Sequence, residues 1–154
     1  MIDFTNAIVV DRPVGDVYDY LSDLERIPEW NWAISRTQKI TPGARRVGTR
    51  YQQARTTPQP SSETLEITGL EANRFIGIEG TLAGMPARLH YALEDHGSKT
   101  EIRNSVRLEL GGALQLAAPI LSRRISRAVA SNLNDLKTRL ERTTRPLDRE
   151  GNLS

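Results

Sequence analysis

The chain has no cysteine, which excludes disulfides, thiolate nucleophiles and thiolate metal sites. Histidine is nearly as scarce: His90 and His96 are the two. Neither has a ligand-bearing neighbour at metal-site spacing, so no metal is expected. No apolar run approaches the roughly 18–20 residues of a membrane span. The opening MIDFTNAIVVDRP carries Asp3 and lacks the basic stretch and apolar core of a signal peptide. These absences lead to the expectation of a cytoplasmic protein without stable membrane insertion. A surplus of one charge is missing too: 21 basic against 19 acidic residues leave +2. That is not the surface of a dedicated polyanion binder. The Gly-x-Ser-x-Gly, phosphate-loop and dinucleotide patterns are absent, and so are internal repeats and low-complexity segments.

What is present is an ordinary globular composition, 38% apolar and 26% charged over 154 residues, enough for one domain with a real core. Its organising stretch lies near the end, roughly residues 115–142. Leu114, Ala118, Leu121, Ile125, Ala128, Val129, Asn132, Leu136 and Leu140 recur there at helical spacing. Arg123, Arg124 and Arg127 fall off this stripe and form a basic face without interleaved aromatics. Nucleic-acid binding is therefore not expected, and the face reads as solvated. Pro119 marks the place where this helix begins or kinks.

Upstream, the chain alternates with period two. Residues 3–11 read as a strand with Phe4, Asn6, Ile8 and Val10 on one face. Pro13 opens a short helix whose Val14, Val17, Tyr18 and Leu21 share a side. Ser22 or Asp23 caps a second short helix, broken at Pro28. Strands follow at 33–41, 47–57, 63–71, 74–81, 88–94 and 99–110, with 84–86 and 96–97 as turns. The expected fold is α+β: seven antiparallel strands in a curved sheet around a long C-terminal helix, with two short helices after the first strand. The domain covers 1–142, and 143–154, with Pro146 and Gly151, reads as a flexible tail.

The segment IVVDRPVGDVYDYLSDLERIPEW supplies Pro13, Val17, Tyr18, Leu21, Asp23, Pro28 and Trp30 in an order that resembles the opening of the START-like, or polyketide cyclase/dehydrase, superfamily with its helix-grip fold. VGTRY at 47–51 and the helix ending NLNDLKTRLE fit the same pattern. Arg12 departs from it, standing where the family usually has alanine. The resemblance implies a cavity between the concave sheet and the long helix. It holds a small apolar ligand such as a lipid or polyketide, in a carrier, a sensor or a cyclase/dehydrase-like enzyme.

Alternation nominates the lining. The strands offer Asn6, Ile8, Tyr51, Gln53, Leu65, Ile67, Ile76, Ile78, Leu89, Tyr91, Asn104 and Val106. The helices add Val17, Leu21, Leu121, Ile125, Ala128 and Val129. A mostly apolar wall with a few polar groups is what a small-molecule site looks like. Asn6 and Asn104 interrupt apolar faces, and pairing Ile8 with Ile102 sets them opposite each other. Arg55, on the face of Tyr51 and Gln53, could anchor a ligand carboxylate or reach solvent. Trp30 is expected as a lid or wall; His90 alternates onto the outer face. No acid–base pair is evident, which favours a binder over an enzyme; Tyr51, Tyr91 or Arg55 would act in the enzyme. No cofactor is implied, and a monomer or homodimer is expected.

Overall fold

Strand alternation and one helical stripe settle the architecture. The structure, a computed structural model, describes residues 1–153, with side chains described through Arg142. The tail expected at 143–154 lies outside the residues whose side chains are described. The chain runs β1 (Ile2–Val10), α1 (Val14–Leu21), a 3-10 turn (Leu24–Arg26), α2 (Ile27–Trp30) and β2 (Ile34–Lys39). It continues through β3 (Arg50–Arg55), β4 (Ser61–Glu71), β5 (Phe75–Leu82), β6 (Met85–His96) and β7 (Lys99–Leu108). A second 3-10 stretch (Gly112–Ala117) leads into α3 (Ala118–Leu153).

The strands form one antiparallel sheet in the order β1-β7-β6-β5-β4-β3-β2, so the first strand closes against the last. The register between them is the one alternation required, with Ile8 opposite Ile102 and Asn6 opposite Asn104. A one-residue slip would turn every apolar side chain of β1 to solvent. Irregularities between Ile67 and Gly69, and between Ile34 and Arg36, add bend and twist to the sheet. The concave face then receives α3, giving the expected helix-grip arrangement.

Two prolines act differently from expectation. Pro28 does not break a helix; it sits in the first turn of α2, where its missing N–H costs nothing. Met85 and Pro86, expected in a loop, already belong to β6, which a proline can join at its first positions. The turn before them is shorter than expected: Ala83 and Gly84, with φ of +51° and +80°, connect the paired residues Leu82 and Met85. Pro119 lies in the first turn of α3 and starts the helix instead of kinking it.

Arg12, the departure from the family pattern, is 8% exposed and ties three elements together. Its Nη1 donates to the Leu140 carbonyl of α3 at 2.7 Å and its Nη2 to Asp16 of α1 at 2.9 Å. Its own carbonyl accepts from Thr100 Oγ1 of β7 at 2.8 Å. Beside it, the Asp11 N–H donates to Glu141 at 3.0 Å and Lys137 donates to the Val9 carbonyl at 2.9 Å. Arg12→Ala is expected to lower the unfolding free energy by about 1.5–3 kcal/mol, the range for hydrogen bonds to charged groups. Arg12→Lys should recover only part of it, because an ammonium cannot span both partners. Urea denaturation of the two variants checks this.

Candidate functional site

The interior between sheet and α3 has a sealed end and an open end. At the sealed end, Val10, Val17, Leu21, Leu24, Ile27 and Trp30 pack with Leu133, Leu136 and Leu140 of α3 in one cluster. These three helix leucines are 2%, 0% and 2% exposed. At the open end the sheet floor of Ile2, Ala87, Val106 and Leu108 is buried. Facing it, Phe4, Leu82, Met85 and Leu89 of the sheet and Leu121, Ile125 and Val129 of α3 are only partly covered. The 3-10 stretch before α3 buries nothing, and Leu114, Leu116 and Ile120 stand 52%, 90% and 66% exposed. Leu121, Ile125 and Val129 thus pack against the floor and still keep part of their apolar surface exposed over the first half of α3.

Polar groups lie between the two clusters, in the row that Asn6, Asn104 and Tyr91 form across β1, β7 and β6. Asn6 and Asn104 are opposite each other, yet neither amide bonds the other. Asn6 Nδ2 reaches across to the Ser126 carbonyl of α3 at 3.2 Å, and Asn104 Nδ2 donates to the His90 carbonyl of β6 at 3.2 Å. Tyr91 is buried, and its hydroxyl has no hydrogen-bond partner among the described residues. Its oxygen is not one of the fully enclosed unpartnered atoms, which include Ser22 Oγ and Asn132 Oδ1, so it keeps contact with open space. Burial pushes the Tyr91 phenol well above the usual tyrosine range. It is a fixed proton donor at neutral pH.

On the far side of the same concave face lies a buried ionic cluster that the sequence reading missed. Glu63, 2% exposed, accepts from Gln53 Nε2 at 2.8 Å, from Arg55 Nε at 2.8 Å and from the Ala83 N–H at 2.5 Å. Gln53 in turn accepts from Thr37 Oγ1 at 3.2 Å. Arg55 is thus neither a free carboxylate anchor nor a solvent-reaching group; Glu63 neutralises it. The signal was present, since Glu63 alternates in phase with Leu65 and Ile67.

The remaining expectations divide. Leu89, Val106, Leu121, Ile125 and Val129 pack in the cluster of the open half, and Asn6 reaches α3 at Ser126 with Asn104 opposite it; Ile8 and Tyr91 pack with Leu65, Ile67, Ile76 and Ile78 in the cluster of the sealed end. Val17, Leu21 and Trp30 belong to the sealed end. Trp30 is therefore no lid over the open end: its free side faces an outer cleft of about 540 Å³, with exposed Trp32, Asp135 and Arg142. Ala128 is exposed, a correction that follows from helix geometry, because one residue turns it about 100° away from Val129. Leu133, four residues after Val129, takes the inward place. Tyr51 lines a second cleft, of about 380 Å³, beside Tyr18 and Arg45.

His90 packs its ring edge-on to Phe75 on the convex face, with centroids 5.1 Å apart. Glu94, His96 and Glu101 come close enough to share an ion, a cross-strand grouping that linear spacing concealed. Glu101 is already paired with Arg103 at 2.8 Å. No helix among the described residues is long and apolar enough to cross a membrane.

Residues 1–141 match the family described as polyketide cyclase/dehydrase and lipid transport. No curated protein matches the chain. Solved structures do. A START superfamily protein from Mycobacterium smegmatis superposes with a TM-score of 0.77 at 12% identity, over 93% of this chain and 99% of that one. The ZhuI aromatase/cyclase from Streptomyces sp. R1128 gives 0.73 at 12%, over 92% and 94%. The di-domain aromatase/cyclase BexL of the BE-7585A biosynthetic pathway gives 0.75 at 16%, over 92% of this chain but 47% of that one. At these identities the likeness is one of fold.

Proposed function

This chain belongs to the polyketide cyclase/dehydrase and lipid transport family, and from that premise we propose that it carries or senses a small, mostly apolar molecule held between the sheet and the first half of α3. The observation that supports this best is the uneven burial of the helix stripe. Leu133, Leu136 and Leu140 are sealed, while Leu121, Ile125 and Val129 face an equally apolar sheet and stay partly uncovered. A ligand completes that burial at about 25 cal/mol per Å² of apolar surface. The Tyr91 hydroxyl, a donor without a protein partner among the described residues, selects a ligand carrying a carbonyl, ether or hydroxyl oxygen.

Native mass spectrometry of the protein purified from its own host tests this reading. The expected result is a retained adduct that Ile125→Trp, which fills the open half, abolishes without loss of the fold. Tyr91→Phe should retain the adduct but release it more readily, weakening binding about two- to tenfold, the worth of one neutral hydrogen bond. A bare protein, or an adduct indifferent to Ile125→Trp, overturns the proposal.

A cyclase- or dehydrase-like enzyme is the second reading, and Tyr91 is what favours it, since a fixed phenol donor can polarise a ketone. Such chemistry also needs a base. Glu63 is the one buried carboxylate among the described residues, and Gln53, Arg55 and the Ala83 N–H already occupy it. Carriage is therefore the better-supported function.

A further inference from the structure

The second cleft lies away from the interior beneath α3. It lies between α1, the 3-10 turn, the β2–β3 loop and the strands β3 and β4. Its volume of about 380 Å³ falls at the small end of the range for ligand sites, roughly 300–1,000 Å³. Tyr51 of β3 contributes the floor, Tyr18 of α1 and Leu70 of β4 the walls, and Arg45 of the β2–β3 loop the rim.

The cleft holds three donor groups without a carboxylate partner, the Tyr18 and Tyr51 hydroxyls and the Arg45 guanidinium. Tyr51 is 1% exposed, and its hydroxyl, like that of Tyr18, makes no hydrogen bond among the described residues. Burial raises both phenols above the usual tyrosine range; the charge of Arg45 opposes this on each, while Asp19 adds to it at Tyr18 and Asp23 and Glu25 add to it at Tyr51. One guanidinium thus acts on two protonated phenols. Arg45 forms no ion pair among the described residues; its contact is a long 3.4 Å hydrogen bond to the Asp19 carbonyl. Each acidic group of the rim has one oxygen engaged elsewhere. Asp23 accepts from Arg26 Nε at 3.2 Å, and Glu25 accepts from the Lys39 N–H at 3.3 Å. Lys39 Nζ is turned to the Gly43 carbonyl.

We infer that this cleft is a second binding site, for a small carboxylate on a flat apolar body. The carboxylate takes the Arg45 guanidinium and the Tyr18 and Tyr51 hydroxyls, three donors for two oxygens with paired lone pairs. The body lies along Leu70 and the tyrosine rings.

Two probes of one shape test the inference: 2-naphthoate and the neutral 2-naphthalenemethanol, titrated by calorimetry, with backbone amide shifts followed by NMR. The wild-type chain should bind the carboxylate more tightly than the alcohol. Shifts should centre on Tyr18, Arg45, Tyr51 and Leu70. Arg45→Gln changes an exposed side chain and should weaken 2-naphthoate about tenfold to a hundredfold while leaving the alcohol unchanged. Tyr51→Phe removes one oxygen and should weaken the carboxylate while melting like the wild type. Absence of binding at millimolar probe, equal affinity for the two probes, or an unchanged carboxylate affinity in Arg45→Gln overturns it. So do shifts centred on Leu89 and Val129, which would place the probe beneath α3.

Discussion

Glu63→Ala is expected to lower the unfolding free energy by about 3–5 kcal/mol, the cost of removing one partner from a buried ion pair. The carboxylate is 2% exposed and the Arg55 side chain 13%. Its loss strands a guanidinium, the Gln53 amide and the backbone N–H of Ala83 in a place water reaches poorly. Each stranded group bears its own desolvation cost. The Ala83 bond adds a local effect, because that residue holds the two-residue turn between β5 and β6 at φ +51°, a conformation non-glycine residues adopt reluctantly. Urea denaturation followed by tryptophan fluorescence gives the number. The double variant Glu63→Leu with Arg55→Met, which removes both charges and keeps volume, should recover most of the loss. A single-variant cost under about 1 kcal/mol would mean that the pair behaves as an exposed one.

Why this cluster escaped a reading of the sequence is a matter of register. Alternation put Glu63 on the face of Leu65 and Ile67, but a lone carboxylate on an apolar face reads as an error of phase. Its partners become visible only when β3 and β4 pair with Gln53 opposite Glu63, and when the turn after β5 brings Ala83 over them. The grouping of Glu94, His96 and Glu101 was hidden for the same reason, since Glu94 and Glu101 meet across β6 and β7. The register of β1 with β7 was legible, because a single buried face allows few alternatives and Ile8 opposite Ile102 satisfies both strands. Prolines were not: the pattern around Pro28 and Pro86 is the same whether an element ends before them or starts with them. Arg12 read as a harmless departure because its partner, the Leu140 carbonyl, lies 128 residues away. On α3 the period located the stripe, but choosing Ala128 and omitting Leu133 misplaced its edge. More consequentially, a period has no way of saying which half of a helix is covered.

That difference along α3 yields the second large effect. Leu136→Ala is expected to cost about 2–5 kcal/mol, because Leu136 is 0% exposed in a packed cluster that cannot collapse around the space it leaves. Ile125→Ala removes an aliphatic side chain from the same helix face, yet its expected cost is only about 1 kcal/mol. Ile125 is partly exposed, so less transfer free energy is lost, and a void made at a partly exposed position opens to solvent instead of staying enclosed. The two substitutions should also separate in their effect on a bound molecule. Leu136→Ala should leave the retained adduct in place while the fold persists, and Ile125→Ala should loosen it while the melting temperature of the bare protein hardly moves. The pair of melting curves, with and without the adduct, reads both. Equal costs would mean that α3 is packed solid along its described length, and a chain so packed has no room between sheet and helix for the cargo proposed above. Unequal costs in the expected order make the second half of α3 the anchor, fastened through Arg12, Lys137 and Glu141 to β1 and the two residues after it, and leave the first half to close over the proposed cargo.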